Sequence, residues 1–373
     1  MTSNLPQNIS HNIPHNILSL VLAQFGYSQE QCKISLLGNG LINHTYLVKA
    51  HDKTFVLQCL NQQVFTAPER VTDNVDLISE HLLSQFSNKT YALMPIWQLR
   101  DQNNKNHVNV QGQYWRALHY IEDCYTLESI TTPEQASFVG NAFAQFTNAF
   151  DNFNSQKLAE IIPQFHHLPT RIAQLDRAIK TSKNSLLLKA KSNIEFIKSQ
   201  KNFIDEVSAI TKNLPLRVTH NDTKINNLLF SNKTNKPIAV VDLDTCMAGY
   251  LMHDFGDMVR SCCASIAEDS AELDKMSINI DILTALTKAY IAGFNGALAK
   301  IEINSLLLGI KLMPLMLGIR FLTDFLNGDQ YFKTGYATHN LVRANNQLHL
   351  YKLLCQHESL LANIVLSTSR TTA

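Results

Sequence analysis

The sequence lacks an excess of charge of either sign. Its 373 residues contain 32 Lys and Arg against 31 Asp and Glu, which gives a formal net charge of +1 at pH 7. Proteins that bind nucleic acids or anionic membranes through a broad surface usually carry a strongly basic face. The composition therefore predicts neither a nucleic acid nor a membrane as a partner.

Paired cysteine motifs are also absent. The seven cysteines form no Cys-x-x-Cys pair, their number is odd, and several lie in apolar stretches. Disulfide frameworks and zinc sites need paired or clustered cysteines. We therefore expect reduced thiols in a cytoplasmic protein.

Targeting and membrane-spanning segments are not predicted either. Residues 1–27 have no basic start followed by a long apolar core, as a signal peptide would. The apolar stretch Leu306–Leu317 is interrupted by Lys311 and Pro314 and is too short to span a bilayer.

The segment His220–Asn227 is the most informative part of the chain. It supplies Asp222, then Lys224 two residues later and Asn227 five residues after the Asp, the spacing of the protein-kinase catalytic loop. Phosphoryl transfer from ATP needs a carboxylate for the hydroxyl proton, oxygen ligands for Mg²⁺ and a cation for the developing charge. The pattern predicts Asp222 as the base and Lys224 as the cation. Asn227 and the later Asp242 are the predicted magnesium ligands.

The residues that follow explain how these two ligands would meet. Leu228–Phe230 and Ile238–Val241 are short apolar runs separated by a polar, turn-rich stretch, which predicts a β-hairpin. A hairpin brings its two ends together, so Asn227 and Asp242 are expected to be neighbours. One carboxylate and one amide oxygen suit Mg²⁺, which takes its other ligands from phosphates and water.

A second acid, Asp254, stands in the letters Asp-Phe-Gly, which mark the metal-binding Asp of protein kinases. We do not assign it that role, because Asp242 already fills it. An acid just before a helix usually caps the helix or interacts with its dipole. The sequence therefore predicts a structural role for Asp254.

The pattern of predicted elements changes once along the chain, from strands to helices. Predicted strands are Lys33–Leu37, Thr45–Lys49, Thr54–Gln58, Ala92–Trp97 and Tyr114–Ile121. Predicted helices are Pro68–Phe86, Pro133–Phe150, Pro169–Ala178, Leu188–Thr211, Ile278–Leu298, Ser305–Leu326 and Asn340–Leu361. This order predicts an α+β, protein-kinase-like, two-lobed fold. Residues 1–121 would form a small nucleotide-binding lobe with a mixed β-sheet, and residues 122–373 a larger, mainly helical catalytic and substrate-binding lobe.

The first predicted hairpin carries a glycine-containing turn with Gly38, Gly40 and Asn43. Such a turn can place backbone N–H groups over phosphates without obstruction by side chains. In kinases the third strand then supplies a Lys to the α- and β-phosphates, but Gln58 stands there. Lys224 would then carry more of the charge.

The predicted strand Tyr114–Ile121 ends where the chain passes from one lobe to the other. We expect the backbone of Tyr120, Ile121 and Glu122 to reach the adenine ring.

The segment His220–Asn227 resembles the catalytic loop of aminoglycoside phosphotransferase-like small-molecule kinases. Within that superfamily the chain is most similar to N-acetylhexosamine 1-kinases. The segments that carry this similarity are Gly40–Asn43, Val56–Gln58 with Asn61, Val218–Asn227, Asp242–Thr245, Asp254–Asp257 with Arg260 and Ser261, and Arg320–Asp324 with Gly328 and Asp329. The resemblance implies transfer of phosphate from ATP, with Mg²⁺, to the anomeric hydroxyl of free GlcNAc or GalNAc.

The resemblance also implies roles for individual residues. Asp254 would hold the catalytic loop from behind, and Gln58 is the usual residue on the third strand of the subgroup. Cys59 departs from the pattern, since Arg is expected there.

Three residues are assigned to the acceptor. Arg320 and Asp324, four apart on one helical face, would be either an ordinary ion pair or a substrate-binding pair. Asp244 would assist the metal, bind the sugar or only end the hairpin.

The residue pattern leaves two alternatives open. The acceptor could be an aminoglycoside, choline, homoserine or methylthioribose instead of a sugar. A polycationic or quaternary acceptor would favour an acidic or aromatic-rich large lobe, and the sequence of that lobe shows no acidic cluster. The second alternative is a nucleotide-binding scaffold without catalysis. Gln58 and Cys59 favour that reading, whereas the complete set of Asp222, Asn227 and Asp242 speaks against it.

Overall fold

The structure is a computed structural model that describes residues 15–38 and 42–371. The chain forms two compact units. The N-terminal unit comprises Met1–Glu80 and Ile96–Glu122, and the C-terminal unit comprises His81–Pro95 and Asp123–Ala373. Strands dominate the first unit and helices the second, so the predicted α+β class is confirmed.

The N-terminal unit is built on one antiparallel sheet. Its strands are β1 (Lys33–Leu36), β2 (His44–Lys49), β3 (Thr54–Cys59), β4 (Gln98–Leu99), β5 (Val108–Val110) and β6 (Gln113–His119). The order is β1-β2-β3-β6-β4, and β5 also pairs with β6. Its helices are α1 (His15–Gln24) and the part of α2 (Pro68–Ser87) up to Glu80, because the remaining residues of α2 belong to the C-terminal unit.

The two faces of this sheet differ in burial. On β3, Phe55, Leu57 and Cys59 are buried and belong to the same apolar cluster as the buried residues of α1. Val56 and Gln58 point to the opposite face, because side chains alternate along a strand, and both are only partly buried. Polar side chains are therefore expected on that second face.

The C-terminal unit contains two small sheets among helices. Its strands are β7 (Cys124–Tyr125), β8 (Arg217–Thr219), β9 (Leu228–Ser231), β10 (Pro237–Val240) and β11 (Met247–Gly249). Its helices are α3 (Pro133–Asn148), α4 (Leu168–Thr181), α5 (Asn184–Ser199), α6 (Lys201–Thr211), α7 (Leu251–Cys262), α8 (Ile280–Gly293), α9 (Lys300–Leu326), α10 (His339–Gln356) and α11 (Glu358–Thr371). One sheet has the order β10-β9-β7, and the other pairs β11 with β8.

Two glycines let α7 and α9 approach closely. A Cβ on Gly256 would lie 2.0 Å from the carbonyl oxygen of Gly309, and a Cβ on Gly309 would lie 2.1 Å from the carbonyl oxygen of Met252. Any side chain at either position would push the helices apart. This contact fixes the position of α7, which carries several residues of the candidate site.

Helix α9 is the one helix in the described part of the chain that is long and apolar enough to cross a membrane. It has 27 residues and continues through Pro314, so it is longer than the interrupted stretch Leu306–Leu317 suggests. However, 83% of its most apolar window is buried inside the protein. Many of its buried apolar residues, among them Leu312, Met316 and Phe321, belong to one apolar cluster of the C-terminal unit, as expected for a core helix.

Three predicted elements are wrong in detail. The predicted helix Leu188–Thr211 is two helices that meet at Gln200, and Asn340–Leu361 is likewise divided at His357. Ala92–Trp97 is not a strand. Pro95 has no N–H to donate to a ladder, which explains why its apolar composition does not lead to strand pairing.

Candidate active site

The catalytic loop, His220–Asn227, is held from behind by a buried carboxylate. The Asp254 side chain, in the first turn of α7, accepts 2.8 Å hydrogen bonds from the backbone N–H groups of His220 and Asn221. The Asp254 carbonyl also accepts a 2.6 Å bond from the Thr223 hydroxyl. The supporting role expected for Asp254 is confirmed. The residue lies inside the helix, however, and not at its N-cap.

Burial raises the pKa of Asp254 to about 7, and the two backbone hydrogen bonds limit that rise. Each carboxylate oxygen serves a different N–H group of the loop. Removal of this side chain would leave two buried donors without an acceptor, which is costly. Asp254 is thus one of the buried contacts that shape the catalytic loop, together with Thr245, whose hydroxyl donates to the His220 carbonyl.

Asp222 lies in the middle of the loop and is partly exposed. Its Oδ1 atom is 3.4 Å from the Lys224 ammonium, and its Oδ2 accepts a 3.2 Å hydrogen bond from the Asn227 amide. Burial alone would raise the pKa of Asp222, but the charges of Lys224 and Arg260 and the Asn227 bond outweigh it, so the pKa lies below its usual value. Asp222 is therefore ionised at neutral pH, as a base must be.

Lys224 is the cation of this pair. The charge of Asp222 raises the pKa of Lys224, burial opposes that change, and the charge of Glu268 adds to the increase. About one third of the side chain is exposed. Lys224 is therefore a stable positive charge that a phosphate group can reach.

His220 links the loop to the adjoining hairpin. Its Nε2 lies 3.0 Å from the Val241 carbonyl, and its Nδ1 lies 3.3 Å from the backbone nitrogen of Asp222. Since a carbonyl only accepts and an N–H only donates, these partners fix the neutral Nε2–H tautomer. Burial lowers the pKa of His220. The side chain thus positions Asp222 and does not carry a proton in the reaction.

The predicted hairpin is confirmed. Strands β9 and β10 are antiparallel, with Leu228 opposite Val240. The Val241 N–H then donates a 2.9 Å hydrogen bond to the Asn227 carbonyl. The end of the catalytic loop and the residue before Asp242 are therefore neighbours, as hairpin geometry requires.

The residues at this end of the hairpin fit a magnesium ion. The Asn227 amide nitrogen donates a 2.8 Å bond to the Asp222 carbonyl, which turns the amide oxygen away from the loop. Asp242 is exposed and has a left-handed backbone with φ of 59°. One amide and one carboxylate oxygen form a donor set that Mg²⁺ accepts. The assignment of both residues to a metal stays a prediction.

The described part of the chain contains no metal cage built from His, Cys, Asp or Glu side chains alone. No group of three or more His, Cys, Asp or Glu is arranged for a metal within residues 15–38 and 42–371. Asp244 follows in a short 3-10 helix and is 2% exposed, so it points into the C-terminal unit. Its role toward the metal or the acceptor stays a prediction.

A charged cluster lies close enough to the loop to affect it, and most of it was not predicted. Arg260, on α7, contacts Asp257 at 2.8 Å and also Glu268, and Arg343, on α10, contacts Glu268 at 2.6 Å. Burial would raise the pKa of Glu268, but Arg260, Lys224 and Arg343 lower it to about 2. Glu268 and Arg343 are 75 residues apart, so no local pattern could have indicated the contact.

Arg320 lies among aromatic rings on α9. Its guanidinium is 4.9 Å from the ring centre of Phe165, 5.6 Å from that of Tyr331 and 5.3 Å from that of Phe332. Among the described residues, its guanidinium makes these ring contacts and takes part in no hydrogen bond or ion pair. Its donors therefore remain able to bind a ligand, and its assignment to the acceptor stays a prediction.

Asp324 does not pair with Arg320, so the ion-pair reading of these two residues is wrong. Its carboxylate, 5% exposed, accepts bonds of 2.8–2.9 Å from the backbone of the loop after α9 and from α10. The donors are the N–H groups of Gln330, Tyr331 and Phe332 and the side chain of Asn340. Four bonds occupy the usual capacity of a carboxylate. Asp324 thus shapes the loop whose rings surround Arg320.

The glycine-containing turn of the N-terminal unit is partly described. Gly38 has a left-handed backbone with φ of 66°, and a Cβ there would meet no atom within 4 Å. Gly40 lies outside the described residues. The Asn43 side chain accepts a 3.0 Å bond from the Asn61 N–H, which ties the end of the turn to the segment after β3. The nucleotide-binding roles of these residues stay predictions.

A polar row crosses three strands on the second face of the same sheet. Thr45, Gln58 and Arg116 are direct partners on β2, β3 and β6. The Gln58 amide donates a 3.1 Å bond to the Thr45 hydroxyl and accepts bonds of 3.0 and 2.7 Å from Arg116. Arg116 was not predicted. The sequence feature that could have indicated it is a charged residue between Trp115 and Ala117, in the apolar middle of a predicted strand.

The segment predicted to reach adenine follows β6 directly. Ile121 is buried, Tyr120 is half-buried and Glu122 is exposed. Just before them, the His119 ring stacks on Trp97 with 3.7 Å between ring centres. The stack fixes the end of the strand from which the segment begins. The contact with adenine stays a prediction.

Comparison with known proteins agrees with this arrangement. Residues 33–277 match the model of the phosphotransferase enzyme family APH. A microcompartment-associated aminopropanol kinase has a similar structure, with a TM-score of 0.61, 15% identity and coverage of 93% of this chain and 98% of that chain.

Two further solved structures have the same fold. An aminoglycoside phosphotransferase from Alicyclobacillus acidocaldarius gives a TM-score of 0.58 at 14% identity, over 94% of this chain and 97% of that one. A spectinomycin phosphotransferase in complex with ADP and spectinomycin gives 0.53 at 12% identity, over 95% and 98%. At these identities the similarity shows the fold alone.

The family match covers well over half of the chain, and it contains the catalytic loop, the hairpin and Asp254. The chain belongs to the phosphotransferase enzyme family APH, and it is a small-molecule kinase with that family's two-lobed, kinase-like fold.

Proposed function

We propose that the protein transfers the γ-phosphoryl group of ATP to the anomeric hydroxyl of a free sugar, most specifically GlcNAc or GalNAc, to give the sugar 1-phosphate. Asp222 orients the hydroxyl and accepts its proton, and Lys224 offsets charge on the transferred group. When bound, ATP and Mg²⁺ supply the phosphoryl group and neutralise its charge. Asn227 and Asp242 would hold the metal.

The observation that carries the choice of a neutral acceptor is the pairing of acids around the base. Besides Asp222, the acids whose charges act on Lys224 are Glu268 and Asp257. Both are engaged by arginines, Asp257 by Arg260 and Glu268 by two. An ammonium-bearing acceptor needs an uncompensated carboxylate or an aromatic cage. Paired charges favour hydroxyl groups instead.

The low pKa of Asp222 supports the same choice of acceptor. A carboxylate held below its usual pKa by neighbouring cations is a weak base. Phosphoryl transfer through a loose transition state needs the base mainly for orientation and late proton acceptance. An anomeric hydroxyl is more acidic than an ordinary sugar hydroxyl, so it makes the smallest demand on such a base.

Arg320 and the rings around it supply a surface suited to a sugar. Aromatic faces pack against the apolar side of a pyranose, and a guanidinium donates to its hydroxyl oxygens. We assign Arg320 to direct contact with the sugar. Asp324 is assigned a supporting role, because its carboxylate shapes the loop that carries Tyr331 and Phe332. Asp244 stays a candidate for the metal or the sugar.

The N-terminal unit would contribute the nucleotide contacts. Gly38, Gly40 and Asn43 belong to the turn proposed to contact phosphates. Gln58 lies on β3 directly opposite Thr45 of β2, the strand that follows this turn. The backbone of Tyr120–Glu122 would contact adenine.

A panel of free sugars and amino alcohols, assayed for ATP-dependent release of ADP, tests the proposal. Turnover of GlcNAc or GalNAc is expected, with a sugar 1-phosphate identified by ³¹P and ¹H NMR. The matching methyl glycoside should be inert because its anomeric oxygen is blocked. Phosphate at position 6 would contradict the proposed hydroxyl. Turnover only of ethanolamine, choline, aminopropanol or an aminoglycoside would replace the acceptor class, and ATP binding without any turnover would favour a scaffold.

A further inference from the structure

The N-terminal unit does not place a lysine where kinases need one. The third strand of the kinase sheet normally supplies a Lys that pairs with the α- and β-phosphates. Here β3 carries Gln58, which can donate a hydrogen bond but brings no charge.

Arg116 lies directly opposite Gln58, on the neighbouring strand β6. Side chains of directly opposite residues lie on the same face of a sheet. Trp115 and Ala117, the neighbours of Arg116 along the strand, belong to the apolar cluster that β3 forms with α1. Because side chains alternate along a strand, Arg116 lies on the opposite face of the sheet. The guanidinium and the amide therefore share one polar face.

The hydrogen bonds fix the orientation of the Gln58 amide. An arginine can only donate, so the two bonds from Arg116, at 3.0 and 2.7 Å, must end on the amide oxygen. The amide nitrogen then points to the other side, where it donates a 3.1 Å bond to the Thr45 hydroxyl. An amide nitrogen has two N–H groups. Thr45 accepts from one of them, and within the described residues no group accepts from the second.

Burial increases the effect of the arginine charge. Arg116 is 2% exposed, and a guanidinium stays protonated in proteins. A charge shielded from water acts more strongly on its neighbours than an exposed one. Two bonds from a cation to the amide oxygen also polarise the amide, which makes its N–H groups stronger donors.

We propose that Gln58 and Arg116 together replace the strand lysine, with the Gln58 N–H contacting a nucleotide phosphate oxygen and Arg116 supplying the positive charge behind it. Arg116 is a positioning residue in this scheme, because it acts through the Gln58 amide. The inference rests on the proposed function as an ATP-dependent kinase. It does not depend on which acceptor is used.

Equilibrium binding separates this role from a merely structural one. Arg116→Met should weaken binding of ATP with Mg²⁺ by roughly 10- to 100-fold, the effect of losing a charge-assisted bond. Binding of adenosine, which has no phosphate, should change little. Arg100→Met is the matched control, since Arg100 pairs with Asp76 at the surface of the same unit and should leave both affinities unchanged.

An exchange of the two side chains gives a stronger test. Gln58→Lys combined with Arg116→Gln restores a lysine on β3 and keeps one cation in the row. We expect this double variant to bind ATP within a few-fold of the wild type. The single variant Arg116→Gln should lose the same affinity as Arg116→Met.

Three results would overturn the inference. They are unchanged ATP affinity in Arg116→Met, equal losses for ATP and adenosine, and no recovery in the exchanged variant. Where Arg116→Met does not fold, Gln58→Leu takes its place and must weaken ATP binding while adenosine binding is kept. Because the measurement is binding, it is independent of turnover. If the wild-type protein binds ATP but phosphorylates no sugar, the proposed acceptor is wrong, and the binding test of Gln58 and Arg116 still applies.

Discussion

Each unit of the protein holds one cation next to a residue proposed to contact the substrates, and the two arrangements differ in kind. In the C-terminal unit, Lys224 lies 3.4 Å from the Asp222 carboxylate, two positions away in one short loop. In the N-terminal unit, Arg116 contacts the neutral Gln58 amide across two strands, 58 residues away in sequence. A cation beside a base changes its pKa, whereas a cation beside an amide changes only its strength as a donor.

The comparison shows which parts of a kinase site can be redistributed. Asp222 and Lys224 lie in one loop whose backbone is held by Asp254. The base and its neighbouring cation are therefore tied to these two sequence positions. A sheet offers an alternative, because directly opposite residues on adjacent strands share a face. The positive charge of the site can therefore be supplied by a residue on β6 instead of a residue on β3, with the same backbone structure.

The base provides the largest expected effect. Asp222→Asn should lower kcat by roughly 10²–10⁴-fold, the usual contribution of a general base, while ATP binding changes little. Asn226→Ala, an exposed residue of the same loop, is the control and should keep near-normal turnover. Steady-state kinetics with a coupled ADP assay measures both. Near-normal turnover in Asp222→Asn would remove Asp222 as the base.

The support of the loop comes next. Asp254→Ala leaves two buried N–H groups without an acceptor and should lower the free energy of unfolding by roughly 2–5 kcal/mol. Asp242→Ala, at the exposed end of the hairpin, should lower stability much less than Asp254→Ala, although its left-handed backbone suits aspartate better than alanine, and should abolish the Mg²⁺-dependent part of ATP binding. Urea unfolding and ATP titrations with and without Mg²⁺ distinguish the two. The reverse pattern would place the metal at Asp254.

Structural features that are determined by one continuous segment of the chain could be predicted from the sequence. The spacing of Asp222 and Asn227, the hairpin β9–β10 and the loop-supporting role of Asp254 all depend on residues within about 35 positions. Hairpin pairing and loop capping are set by turn residues and short apolar runs, which are visible in the sequence. The hairpin and the supporting role of Asp254 are accordingly confirmed, whereas the catalytic role of Asp222 and the metal-binding role of Asn227 stay predictions.

Contacts between distant segments were not predictable. Arg116 faces Gln58 because β6 pairs with β3, and Glu268 joins Arg343 because the loop after α7 contacts α10. Neither pairing follows from a periodic pattern along the chain. Arg320 and Asp324 show the same limit. Both residues lie on one helix with the predicted spacing. The Asp324 carboxylate, however, accepts hydrogen bonds from backbone N–H groups after α9 and forms no ion pair with Arg320.

That separation of Arg320 and Asp324 predicts distinct consequences for the two residues. Arg320→Ala should raise the sugar KM by roughly 10- to 100-fold through loss of hydrogen bonds from a charged donor, with little change in the ATP KM or in the melting temperature. Asp324→Ala should instead lower the melting temperature first, because it leaves three loop N–H groups unpaired. Equal effects of both substitutions on KM alone, without destabilisation, would restore the original prediction that both contact the sugar.

The smallest expected effect tests the difference between the two cations directly. Asp222 must be ionised to act, so kcat/KM falls as the pH drops through its pKa. Burial raises that pKa and Lys224 is the largest influence that lowers it. Lys224→Met should therefore move the acid limb of the pH profile to higher pH, in addition to lowering the rate, whereas Lys224→Arg keeps the cation and should leave the limb in place. Arg116→Met should also leave it in place, since Arg116 contacts a neutral amide and does not contribute to the pKa of Asp222. An acid limb that moves in Arg116→Met, or one that stays in Lys224→Met, would show that the two cations do not divide their tasks in this way.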